Sequence, residues 1–172
     1  MSDDRTTGIR QSWQLALATA GFHCLQFVAS AGLWMITGSA ALAVFGLDAA
    51  VSAFAALVLA SRIHRSFETL ADNWRSRGVA FGYLGAAVIA LFLSVAQLWS
   101  ARWSAGTISG IVLAAVSMLI IPIVGSYMKV LAVELRSQPL RAAAIFTFGN
   151  SYLSMVLLVA LLINVGMGFR WG

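Results

Sequence analysis

Charge is scarce in this chain. Only 10% of its 172 residues are charged, against about 25% in water-soluble domains, which excludes an ordinary soluble fold. Cys24 is the single cysteine, so no intrachain disulfide can form. Two prolines and no low-complexity run leave little room for a disordered tail or linker. No nucleophile–base motif, phosphate loop or pair of carboxylates is present, so an enzyme is not expected. The net charge of +5 does not point to nucleic acid. The basic residues cluster beside apolar segments, as topology signals do.

What is abundant is apolar sequence: 60% of residues are hydrophobic and the mean hydropathy is +0.89. The class this defines is an all-α integral membrane protein of one domain. A bilayer core needs roughly 20 apolar residues in a helix. Five stretches qualify, at about 12–37, 39–61, 79–100, 106–128 and 142–168. The first is too long for a signal peptide and lacks a convincing cleavage site. A tight turn at Thr37-Gly38-Ser39 joins the first two. A polar loop from Arg62 to Gly78 joins the second and third, and a short segment around Arg102-Trp103 joins the third and fourth. Lys129 to Arg141 links the fourth and fifth, and reads as a helical extension ending near Pro139.

Orientation follows from the basic residues. Arg5, Arg10, Arg62, Arg65, Arg75, Arg77, Lys129, Arg136 and Arg141 fall on the side of the N-terminus, and only Arg102 and Arg170 on the other. This bias predicts a cytoplasmic N-terminus and an outer C-terminus in the cell membrane. Trp13, Trp34, Trp99, Trp103 and Trp171 lie near span ends, where an aromatic belt sits. Ala49, Ala53 and Ala56 in span two, and Gly82, Gly85 and Ala86 in span three, permit close helix approach. Pro122 should kink or loosen span four.

Asp48 is the only carboxylate inside a long apolar stretch; Asp3, Asp4, Glu68, Asp72 and Glu134 lie between or before the spans. A charge at membrane depth costs about 2.5–3.5 kcal/mol on insertion scales. A cost of that size marks Asp48 as an ion ligand, a proton carrier or a buried polar contact. Ser52 stands one helical turn later on the same face. The other polar groups inside spans are His23, Cys24, Gln26, Gln97, Ser117, Thr147, Asn150, Ser151, Tyr152 and Asn164. His23, Cys24 and Asp48 are of a type to bind a soft or borderline metal, if they converge.

Thr37-Gly38-Ser39-Ala40-Ala41-Leu42, then Asp48 and an apolar run to Ser61-Arg62, resembles the second transmembrane helix of the cation diffusion facilitator (cation efflux) family. Asp48 matches that family's first ligand position, and Ser52 the second, where the family has Asp. Leu135-Arg136-Ser137-Gln138-Pro139-Leu140-Arg141-Ala142 is similar to the family's entry to its fifth helix. Phe146 and Asn150 then stand where it has His and Asp. Phe81-Gly82-Tyr83 is similar to its F-G-Y motif, without the following basic and acidic residues. The resemblance implies a bundle of spans one, two, four and five around a mid-membrane site. Relative to the family, the sixth helix and the cytosolic metal-binding domain are expected to be lacking.

Two functions are expected from these residues. One is a cation-efflux-like transporter, homodimeric, moving a cation or proton along Asp48, Ser52 and Asn150, with a divalent metal ion held by Asp48 and His23 as the possible cofactor. The other is an accessory subunit with a degenerate site, packed against another membrane protein. Zinc affinity is expected to fall short of an intact family member, because the matched positions offer one carboxylate, a hydroxyl, a phenyl ring and an amide.

Overall fold

A computed structural model describes residues 2–64, 73–100 and 108–167. They form α1 (Ser2–Thr37), α2 (Ala40–His64), α3 (Asn73–Ser100), α4 (Ile108–Glu134) and α5 (Gln138–Met167), with no strand among the described residues. All five helices are long and apolar enough to cross a membrane, so the chain is an all-α bundle of the class the composition defines. The connection around Arg102-Trp103, residues 65–72 and the terminal Arg170-Trp171 lie outside the described residues.

Several helices outrun their apolar stretches. The expected loop from Arg62 to Gly78 is helical at both ends, since α2 reaches His64 and α3 starts at Asn73. A helix satisfies its own backbone groups in water as in lipid, so polarity alone does not end it.

The two described turns are closed by local hydrogen bonds. Gly38 ends α1 with φ +67°, and its N–H donates to the Trp34 carbonyl at 2.7 Å. That conformation suits glycine. The Thr37 hydroxyl donates to Leu33 O at 2.8 Å and accepts the Ser39 N–H at 3.2 Å. The second turn corrects the expected helical extension to Pro139. α4 stops at Glu134, where Arg136 adopts φ 49°. The Ser137 N–H donates to Ala132 O at 3.0 Å and the Arg136 N–H to Val133 O at 3.2 Å, a Schellman closure. Ser137 then caps α5, its hydroxyl accepting the Leu140 N–H at 3.4 Å. Pro139 lies in the first turn of α5, where its missing N–H has no intrahelical partner to lose.

Helix packing follows a ring. α1 lies against α2 and α4, α5 against α4 and α2, and α3 packs outside on α2. Lipid removes the hydrophobic drive between membrane helices, so close fit between small residues carries the association. Ala49, Ala53 and Ala56 are buried in this way. At Gly46 a Cβ would stand 3.2 Å from the Ser30 Cβ, so α1 and α2 are nearly in backbone contact there. On α3, Gly82 meets Val51, whereas Gly85 faces open space. α4 runs helical through Pro122.

Two apolar clusters fill the ring. At the N-terminal end of the bundle, Ala16, Leu59, Ile63, Met128, Leu131 and Leu140 pack together. Toward the Thr37–Ser39 end, Phe45, Ala114, Leu157 and Leu161 do the same. The large apolar side chains of α1 point the other way: Leu25, Val28, Met35 and Ile36 are exposed, as suits contact with hydrocarbon.

Candidate functional site

Buried polar residues are interspersed with small apolar ones along the inner faces of the helices. On α1 the buried positions include Ser12, Thr19, His23, Gln26 and Ser30. From Thr19 on, the spacing is four, three and four residues, which keeps them on one face. α5 contributes buried Thr147, Asn150 and Ser154, α4 contributes Ser117, and α2 contributes Ser52. Counting 1.5 Å per residue, Ser52 lies roughly 18 Å along α2, near its middle.

Asn150 and Ser52 join α5 to α2: Asn150 Nδ2 donates to Ser52 Oγ at 2.5 Å. Ser52 Oγ also pairs with the Tyr83 hydroxyl at 3.1 Å, extending the link to α3. The Tyr83 ring stacks on Phe146 of α5, with centroids 5.5 Å apart and planes 5° from parallel. Three helices are thus tied at one level by a chain of neutral polar groups.

Beside this chain is a cavity of about 50 Å³, room for a few water molecules. Its polar lining is Thr19, His23, Ser52, Tyr83, Thr147 and Asn150; its apolar lining includes Ala55, Leu59, Met128 and Phe146. His23 Nδ1 sits 2.9 Å from Gln26 Oε1. A carbonyl oxygen only accepts, so with the amide oriented this way Nδ1 carries the proton and Nε2 keeps its lone pair. The Thr19 hydroxyl donates to Leu15 O at 2.7 Å, and the Thr147 hydroxyl to Ala143 O at 2.9 Å.

The sequence-derived candidates divide. Ser52, Asn150 and His23 all line the cavity. Asp48 is half-buried one turn from Ser52, toward the Thr37–Ser39 end, and is not among the lining residues. Cys24 is exposed. No group of three or more His, Cys, Asp or Glu side chains able to hold a metal occurs among the described residues. Thr19 and Tyr83 were not among the sequence candidates. The spacing of Thr19 to His23 and Gln26 was the available signal for the first. Tyr83 stood only within the Phe81-Gly82-Tyr83 motif, and it is the packing of α3 on α2 that brings it to Ser52.

No protein-family model matches this chain, and no curated protein matches it either. The likeness to cation-efflux proteins therefore rests on the motifs quoted above.

Proposed function

We propose that the chain is a small membrane transporter, cation-efflux-like in plan, that passes a cation or proton through the bundle. The observation that carries this reading is the cavity near the middle of the bundle, with the polar side chains of Ser52, Asn150 and His23 in a wall that is otherwise largely apolar. Buried polar groups inside a membrane bundle are costly and mark solute paths. Asp48, one turn away, is the acid placed to couple movement to a proton. In this reading the protein sits in the cell membrane with its N-terminus cytoplasmic and works as a homodimer.

A second reading is favoured by α3. None of the described residues in its Arg77–Ala96 segment is buried, and Phe81, Leu84, Leu91 and Phe92 are exposed. An accessory subunit would present such a face to a membrane-protein partner.

Purified protein in sealed vesicles, loaded with a pH-sensitive dye, separates the two. Transport predicts a cation-driven pH change that is lost in Asp48→Asn while helicity and elution volume stay unchanged. Vesicles that remain tight to every cation tested would end the transport reading and favour the accessory one.

A further inference from the structure

The cavity's hydrogen-bonding capacity divides by side: Ser52, Tyr83 and Asn150 keep a hydroxyl proton and an amide N–H beyond their mutual bonds, whereas the Thr19, Thr147 and His23 side offers acceptors. Each threonine hydroxyl has a single proton. Thr19 places its proton on the Leu15 carbonyl and Thr147 on the Ala143 carbonyl, in their own helices. What both oxygens offer the cavity is lone pairs. His23 adds a third acceptor when its neutral ring donates the Nδ1–H to Gln26 Oε1, which leaves the Nε2 lone pair free. That side of the wall favours a guest that brings its own donors.

Its charge character is equally specific. No Asp, Glu, Lys or Arg is among the described residues that line it. A divalent ion stripped of water needs several oxygen ligands, carboxylates foremost, to offset its dehydration. An anion would find no Lys or Arg among the described lining residues to balance it. Two aromatic rings, Tyr83 and Phe146, border the same space. They stack on each other, and the outer π-face of such a pair attracts weakly hydrated cations, organic ammonium groups above all. A space with room for a few water molecules admits one small ion of that kind.

We propose that the cavity binds a small protonated amine, a monovalent cation bearing N–H donors and of methylammonium size, held by Thr19, Thr147 and His23 and by the Tyr83–Phe146 rings. The inference rests on the transport reading of the same cavity and names its substrate class. An alkali cation shares the charge but lacks N–H donors, so His23 Nε2 and the rings favour the amine over it.

The test separates binding from flux. Methylammonium, potassium and magnesium chlorides are each titrated into the purified protein in detergent, followed by calorimetry. Methylammonium uptake into vesicles is measured apart. Saturable methylammonium binding is expected, at least about tenfold tighter than potassium or magnesium. Thr19→Val/Thr147→Val keeps the side-chain shape and removes both acceptors, and should weaken binding about tenfold or more. Phe146→Leu, at a half-exposed position outside the apolar clusters, should weaken it without unfolding the bundle. Absence of saturable methylammonium binding, tighter binding of potassium or magnesium, or indifference to both variants would overturn the proposal. Binding without uptake would sustain the amine site and end the transport reading. Uptake of a different cation with no amine bound would sustain transport and end the amine site.

Discussion

Asn150 donates a hydrogen bond to Ser52 at 2.5 Å although 98 positions separate them in the chain. The bond crosses the bundle from α5 to α2. An unpaired amide in hydrocarbon costs several kcal/mol. The pair therefore fixes how far α5 can rotate or slide against α2, besides walling the cavity. It also sets the position of Tyr83, which reaches the same Ser52 hydroxyl.

A double-mutant cycle on Asn150→Ala and Ser52→Ala should show a favourable coupling. Hydrogen bonds between membrane helices average about 0.6 kcal/mol and reach about 1.7. The value here should fall in the upper half of that range, because the Ser52 oxygen serves Asn150 and Tyr83 together. Unfolding in mixed micelles measures it. Strict additivity of the two substitutions would mean that the contact contributes nothing.

Arg136 holds a left-handed conformation at φ 49° to close α4. For a residue with a Cβ this costs roughly 1–2 kcal/mol, which glycine avoids. Arg136→Gly should therefore raise stability by about 1 kcal/mol. Arg136→Val, β-branched and worse in that region, should lower it. Thermal unfolding of the three proteins side by side decides the order.

Gly46 and Gly21 offer a matched contrast. A Cβ on Gly46 would approach Ser30 to 3.2 Å, while Gly21 has nothing within 4 Å. Gly46→Leu should destabilise by about 1–3 kcal/mol through overpacking. Gly21→Leu should be neutral or mildly stabilising, since it faces outward and leucine is a better helix former. Equal effects at the two sites would refute the close crossing of α1 and α2.

Much of the fold could be read in the chain, and less of the site. Five apolar stretches gave five helices because length and hydropathy are enough to mark a membrane span. The α4–α5 break at Leu135–Ser137 was not legible. It has no glycine, and Arg136 takes the role that glycine usually fills. That α3 lies outside the ring entered only through the resemblance; hydropathy does not distinguish it from its neighbours. Asp48 drew attention as the lone acid, yet the cavity is lined by neutral groups a turn away. Ser52 and Asn150 were found by alignment to motifs, and His23 by its type. Thr19 is not distinguishable in the sequence by its type, because threonines that bond their own helix are common in membrane spans.

Orientation is open to direct labelling. The Lys and Arg asymmetry predicts that Arg10 and Ile36, both exposed, lie on opposite faces of the membrane. In a Cys24→Ser background, Arg10→Cys should react with a membrane-impermeant reagent only after cells are opened, and Ile36→Cys in intact cells. The reverse pattern would invert the topology. Reaction of both from one side would reject the α1 span itself.

Ser30 raises the opposite expectation to Ser52. Its side chain is fully buried, and its hydroxyl has no hydrogen-bond partner among the described residues. A buried hydroxyl left unpaired costs about 1–3 kcal/mol. What the site needs from Ser30 is its small size, since Gly46 crosses α1 at its Cβ. Alanine is as small at that point and carries no polar group. Ser30→Ala should therefore leave stability unchanged or raise it by about 1 kcal/mol, whereas Ser52→Ala should lower it by removing the acceptor for Asn150. Unfolding of both variants under the same conditions gives the comparison. A loss of more than about 1 kcal/mol for Ser30→Ala would show that its hydroxyl is engaged, most simply by an ordered water continuing the polar face of α1 beyond Gln26. That result would lengthen the polar path past the cavity, toward the level of Asp48.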